Sequence, residues 1–143
     1  MKAEHILRRK GRRTITIDPD APLKEASDTL SEYNIGALIV TDEDSQIVGV
    51  LSERDIVHQI SERGPVALRL PVEKAIEDEP ATCTPDDNVK DLMEFVTRER
   101  VRHLPVLNDG ELDGVISVGD LLKSRMEEME TEKKVLRDRL MGS

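Results

Sequence analysis

The chain has 143 residues, 37% of them hydrophobic, with one Phe, one Tyr, no Trp and one Cys, and a formal net charge of −9. This is the size of one ordinary domain with a core of Val, Ile and Leu; the shortage of aromatics excludes a base-stacking platform, and a single cysteine excludes an intrachain disulfide or a zinc cluster. Residues 1–13 carry six basic and one acidic side chain and residues 123–143 six and five, so the stretch between them holds −15 and repels nucleic acid and acidic membranes. No apolar run reaches membrane-spanning length and the opening lacks a signal-peptide core. A cytoplasmic protein with no membrane, nucleic-acid or metal partner is expected.

In chain order, residues 1–13 read as a basic arm. Thr16-Ile17-Asp18-Pro19 reads as a short strand, and Asp18-Pro19-Asp20-Ala21-Pro22 as the start of a helix over about Leu23 to Tyr33. Asn34-Ile35-Gly36 turns that helix into a strand, Ile35 to Val40, where Gly36 and Ala37 leave room for something flat. Asp42-Glu43-Asp44-Ser45 is a hairpin turn, and a helix through Ile56 and Ile60 ends at Gly64-Pro65. His58 in that helix reads as a surface or core-edge residue. Residues 65–80 form a linker, with Val72 and Ile76 one helical turn apart. Cys83 reads as a small core residue.

The second half echoes the first. Asp18-Pro19-Asp20 aligns with Thr84-Pro85-Asp86 at an offset of 66, and Leu23, Ala26 and Leu30 align with Val89, Leu92 and Val96 on one helical face. Ile35-Gly36-Ala37-Leu38-Ile39-Val40 aligns with Val101-Arg102-His103-Leu104-Pro105-Val106, and Asn108-Asp109-Gly110 is the second turn. The offset then falls to 65, where Gly49-Val50-Leu51-Ser52-Glu53-Arg54-Asp55-Ile56 matches Gly114-Val115-Ile116-Ser117-Val118-Gly119-Asp120-Leu121. Each copy is a buried strand running into a helix that begins at the serine, and Ser-x-x-Asp also reads as a capping box. Each unit, residues 14–64 and 81–123, thus runs strand, helix, strand, turn, strand, helix. Proline at 105 suits an exposed strand end. Arg102-His103 reads as a solvated edge or a phosphate clamp. After Asp120 the last helix changes character: Leu122, Met126, Met129, Lys133, Leu136 and Leu140 trace a heptad seam that runs into the C-terminal amphipathic helix, residues 124–143. Such a seam docks on its own body or pairs across a dimer, with Lys133 setting register.

The order of these pieces, twice over, resembles the cystathionine-beta-synthase (CBS) domain, and the pair resembles a Bateman module covering about residues 5–123. The resemblance implies an α+β fold: two pseudo-symmetric repeats, each a small mixed sheet with packed helices, leaving two clefts at their junction. It implies an adenosine-containing ligand rather than a catalysed reaction, and a homodimer acting on an effector protein that the sequence does not identify. No nucleophile with base and orienter, no phosphate-cradling glycine loop and no metal-ligand cluster accompanies it.

Carried over residue by residue, the first cleft would place adenine against Ile35 and Ala37, with backbone groups of Gly36 and Ala37 reading its edge. Asp120 would accept from the ribose hydroxyls and Ser117 with its helix N-terminus would face phosphate. Arg102 and His103 would supply countercharge, and Lys10 and Gly11, in the segment that lines one edge of the family's cleft, either meet the ligand or form a solvated turn. The second cleft would use Ser52, Arg54 and Asp55, with Val101 and His103 as its wall. By the pseudo-symmetry, residues 65–80 would serve the second unit as residues 5–13 serve the first. The basic residues favour AMP or NAD, with ADP or ATP also admitted and S-adenosylmethionine less suited. The alternative function is a ligand-free dimerisation scaffold of the same fold, with Ser52 and Ser117 only as caps.

Overall fold

The computed structural model of the protein describes residues 1–76 and 79–142; residues 77 and 78 of the expected linker and residue 143 of the last helix lie outside it. In the first repeat, β1 (Thr16–Ile17) runs parallel to β2 (Ala37–Thr41), which pairs antiparallel with β3 (Ile47–Ser52). Helix α2 (Leu23–Tyr33) lies between β1 and β2 in sequence, and α3 (Glu53–Arg63) follows β3. Leu23, Ala26 and Leu30 form the buried stripe of α2, which ends with Asn34 in the left-handed region at φ 52°. They pack with Leu38, Val40, Leu51 and Ile56 into one core. Each such buried aliphatic contributes roughly 1.5–3 kcal/mol of burial.

The second repeat follows the same plan with α4 (Val89–Glu99), β4 (His103–Asn108), β5 (Glu111–Ser117) and α5 (Val118–Gly142). Its opening strand is reduced to one parallel bridge, Cys83 to Val106. Pro105 supplies the reason. In the first repeat the Ile39 N–H donates to Ile15 O at 3.1 Å; Pro105 stands at the matching place and has no N–H to give. The expectation of an exposed strand end is corrected here, because Pro105 is buried in the middle of β4. Its missing donor falls on the edge that β5 does not use, which is where a sheet tolerates proline.

The stretch read as a basic arm contains a helix, α1 (Ala3–Lys10), and it is not solvated along its length. Ala3, Ile6 and Leu7 are buried in the core of the second repeat, beside Val89, Val106 and Ile116. Reciprocally, Val72 and Ala75, from a 3-10 turn at Val72–Ala75, are buried in the core of the first repeat. The backbone bonds match in pairs: Ala3 N–H to Asp87 O (2.9 Å) with Val72 N–H to Ala21 O (2.8 Å), and Val89 N–H to Met1 O (2.8 Å) with Leu23 N–H to Leu70 O (2.9 Å). The segment preceding each repeat therefore completes the other one. Two units too small to be stable alone share their cores in this way.

Helix α5 is continuous from the second repeat through the expected C-terminal helix. Its 25 residues extend about 37 Å at 1.5 Å per residue. Leu121 and Ser124 are buried against the body, whereas every described residue from Met129 onward is exposed. Docking of the whole seam on its own body is thereby corrected: Met126, Met129, Leu136 and Leu140 are 54–76% exposed. No helix among the described residues is long and apolar enough to cross a membrane.

Candidate functional site

Both Ser-x-x-Asp sequences sit where a strand turns into a helix. Ser52 caps α3: its hydroxyl accepts from Asp55 N–H at 3.2 Å, and its own N–H donates to Asp55 Oδ2 at 2.8 Å. Ser117 and Asp120 make the same exchange at α5, with Asp120 N–H to Ser117 Oγ at 3.1 Å and Ser117 N–H to Asp120 Oδ2 at 2.9 Å. Both are capping boxes closed by aspartate. A second bond anchors each helix to the strand lead-in of its repeat, Glu53 N–H to Gly36 O (3.0 Å) and Val118 N–H to Arg102 O (2.9 Å). The Gly36 carbonyl is thus already engaged.

The first cleft is a cavity of about 210 Å³ whose lining includes Lys10, Ile35, Gly36, Ala37, His103 and Ser117. Six sequence-predicted residues therefore meet there, and Asp120 joins them through Lys10, whose Nζ donates to Asp120 Oδ2 at 2.7 Å and to Val115 O at 3.0 Å. Burial pushes the Asp120 carboxyl up, but the bonds from Lys10 and Ser117 outweigh it and hold it below the usual carboxylate range. Both bonds fall on Oδ2. Gly11, at φ 99°, caps α1 outside the lining. Arg13, whose guanidinium lies 5.0 Å from the Tyr33 ring centre, is a cleft residue that sequence reasoning missed.

The second cleft is larger, about 360 Å³, and gathers Ser52, Arg54, Asp55, Val101, Arg102 and His103. Arg102 is thus placed here and not in the first cleft. Arg100 lines it too and was not foreseen. It occupies the C-cap of α4 in the left-handed region at φ 56°, the place Asn34 holds in the first repeat, and that alignment was the available signal. Ile76, Pro80 and Ala81 close the opposite wall. The pseudo-symmetric counterpart of Lys10 is Glu79, so no lysine occupies that place beside Asp55. Three arginines and the α3 N-terminus, where the helix dipole favours an anion, then line one cavity.

His103 lines both clefts, and its Nε2 stands 3.6 Å from where a Cβ on Gly36 would be. Burial lowers its pKa below the ordinary 6.5, helped by Lys10 and Arg102 and opposed by Asp120 and Glu53. Most other basic side chains near the N-terminus are engaged by the protein itself. Arg8 pairs with Glu4 (3.2 Å), Arg9 with Glu127, and Arg12 with Glu4 and with Asp113 (3.3 Å). His58 is exposed and pairs with Glu62 at 3.2 Å. Among the described residues no group of three or more His, Cys, Asp or Glu is arranged to hold a metal ion.

A family model described as CBS domain matches the chain twice, over residues 5–62 and 72–127. An uncharacterized 17.7 kDa protein of Acidianus ambivalens is 32% identical over 112 residues, 78% of this chain and 66% of its own length. The next curated relative is likewise spanned only in part, over 62% of its length. Among solved structures, a CBS-domain containing protein from Agrobacterium tumefaciens superposes with a TM-score of 0.83 at 38% identity, over 87% of this chain and 92% of that one. A CBS domain protein from Pyrobaculum aerophilum complexed with AMP gives a TM-score of 0.75 at 28% identity, over 84% and 89%.

Proposed function

The chain belongs to the CBS domain family, with two such domains in tandem, and we propose that it is a regulatory module that binds an adenine nucleotide between its repeats and signals by a change of conformation. The observation that carries this reading is the convergence of Arg54, Arg100 and Arg102 on the cavity headed by Ser52 and Asp55. Guanidinium groups and helix N-terminal N–H groups recognise phosphate, and a carboxylate accepts from a pair of sugar hydroxyls. At about 360 Å³ the cavity lies in the range of roughly 300–1,000 Å³ typical of small-molecule sites. In the first cleft the ligand must first draw Lys10 from Asp120. The AMP carried by the Pyrobaculum aerophilum protein supports the same ligand class. AMP or NAD suits the basic lining best; ADP and ATP fit its charge, and S-adenosylmethionine, without phosphate, less so.

This is a binding role rather than an enzymatic one. Ligand that bridges the repeats favours one relative arrangement of them, and that arrangement sets affinity for an effector protein. We place the module in a homodimer in the cytoplasm, as a sensor of adenylate state. The scaffold reading is favoured by one observation, that both Ser-Asp pairs already cap their helices.

Thermal unfolding against AMP, NAD, ADP, ATP and S-adenosylmethionine separates the two. A ligand at about 100 times its Kd adds roughly 2.7 kcal/mol of stability. A rise with a phosphate-bearing ligand that Asp55→Ala diminishes supports the sensor; no rise with any of the five leaves the scaffold.

A further inference from the structure

Beyond the body, α5 presents an apolar stripe that nothing among the described residues covers. The seam Leu122, Met126, Met129, Lys133, Leu136 and Leu140 follows spacings of 4, 3, 4, 3 and 4, which are alternating d and a positions of a heptad beginning at Leu122. All of its apolar members are at least 48% exposed. The flanking g positions then hold Arg125, Glu132 and Arg139, and the e positions Lys123, Glu130 and Arg137. We infer that this seam is the interface with a second copy of the chain, the two α5 helices forming a parallel, in-register coiled coil.

The charges select this arrangement. In a parallel pair each g position faces the e position of the following heptad on the other helix. Arg125, which within its own chain pairs with Glu128 (3.4 Å) and Glu132 (3.8 Å), then also meets Glu130 of the second copy, and Glu132 meets its Arg137. Antiparallel pairing with the whole seam overlapped puts Glu130 against Glu130, Glu132 against Glu132 and Arg125 against Arg139. Shifting that pairing by one heptad relieves the repulsion but leaves uncovered either Leu122 and Met126 or Leu136 and Leu140. Only the parallel arrangement covers all six layers and matches the g and e charges, although it sets Lys133 beside its own copy. Lys133 at an a position weakens the coil while restricting its register, since a buried polar residue there specifies how the strands align. The inference deepens the homodimer reading above, naming the surface and the direction, and does not depend on the ligand.

The test is sedimentation of the full chain over a dilution series, for the wild type, Glu132→Arg, Arg137→Glu and the double variant. These residues are exposed, and circular dichroism checks that the helix persists. Each single change turns two attractive contacts into two repulsive ones and is expected to weaken the dimer about tenfold. The double variant restores it, because the exchanged charges at positions 132 and 137 are again opposite in sign across the pair. Leu140→Cys is expected to form an intermolecular disulfide on oxidation, since equivalent a positions adjoin; in either antiparallel form the two thiols stand at least about 11 residues, or about 16 Å, apart along the axis. A double variant weaker than either single, with no cross-link through position 140, is the result of the shifted antiparallel pairing, and an Arg137→Glu dimer no weaker than the wild type, again without the cross-link, is that of the overlapped one, where Arg137 faces Lys123; either overturns the inference. A dimer indifferent to all of these changes also overturns it while leaving the homodimer reading intact, whereas a monomeric wild type overturns both.

Discussion

The Cδ2 atom of Leu7 lies 2.6 Å from the point where a Cβ on Gly114 would stand, and Ile76 Cδ1 lies 3.0 Å from the same point on Gly49. The two glycines that open the repeated motif share one constraint, that an aliphatic from the segment that precedes the other repeat lies against the strand, and at Gly114 a backbone φ of 157° adds to it. Gly114→Ala is expected to destabilise the protein by about 1–3 kcal/mol, the usual cost of overpacking. Gly49→Ala, with its looser contact, costs less. Leu7→Ala removes the obstacle, so the Gly114→Ala and Leu7→Ala double variant should lose less than the sum of the singles. Urea unfolding of the wild type, the two singles and the double measures this; strict additivity would separate the glycine from Leu7.

How that contact escaped notice explains what is and is not legible in the chain. The repeat offsets, the strand-to-helix serines and the helix stripes follow from local periodicity, and the structure places them as read. The role of α1 does not follow, although Ala3, Ile6 and Leu7 have helical spacing. Five basic residues crowd Arg8 to Arg13, and their acidic partners Asp113, Asp120 and Glu127 lie about a hundred residues away in sequence, so the segment reads as a solvated arm. The site divides in the same way. Aligning the repeats found Ser52, Asp55, Ser117 and Asp120 because they carry a motif. It did not single out Arg100 and Arg13, which reach the clefts by backbone geometry and packing rather than by any pattern of their own, and it set Arg102 at the first cleft, whereas Arg102 lines the second.

His103 provides a pH signature. Its folded pKa lies below the ordinary 6.5, so as pH falls the unfolded chain takes the proton first. The contribution to stability is complete above about 6.5 and is lost as pH drops through the folded value. Asp120, also lowered, has the same sign in a lower window: its contribution is present above 3.8 and lost on further acidification. The ring resonances of His103 should titrate below 6.5 in the free protein and move upward when a nucleotide phosphate occupies either adjoining cleft. A midpoint unmoved by saturating ligand would place the phosphate away from His103.

Cys83 is 3% exposed in the core of the second repeat, and burial, with a smaller push from Asp87, raises its thiol to about 12. The thiolate is the reactive form. The native protein should therefore leave a thiol reagent unconsumed at neutral pH and consume one equivalent only after denaturation. Rapid labelling of the native protein would show that the second repeat opens far more readily than its packing implies.

Arg100, the C-cap of α4, tests the second cleft without touching the Ser52–Asp55 capping box. The left-handed conformation at φ 56° costs a non-glycine residue roughly 1–2 kcal/mol, whereas asparagine is among the side chains that visit it routinely. The matching position in the first repeat is Asn34, also left-handed. Arg100→Asn should accordingly keep the fold's stability or raise it by up to about 1 kcal/mol. The same change removes one of the three arginines that line the cavity, so affinity for AMP or ADP should fall while the salt dependence of binding becomes shallower. Calorimetric titration together with unfolding of the ligand-free variant reads both effects. A more stable protein that binds nucleotide less tightly is the outcome that fits a residue retained for the ligand at the expense of its own backbone; unchanged affinity would assign Arg100 to the surface and leave Arg54 and Arg102 as the cations that answer the phosphate.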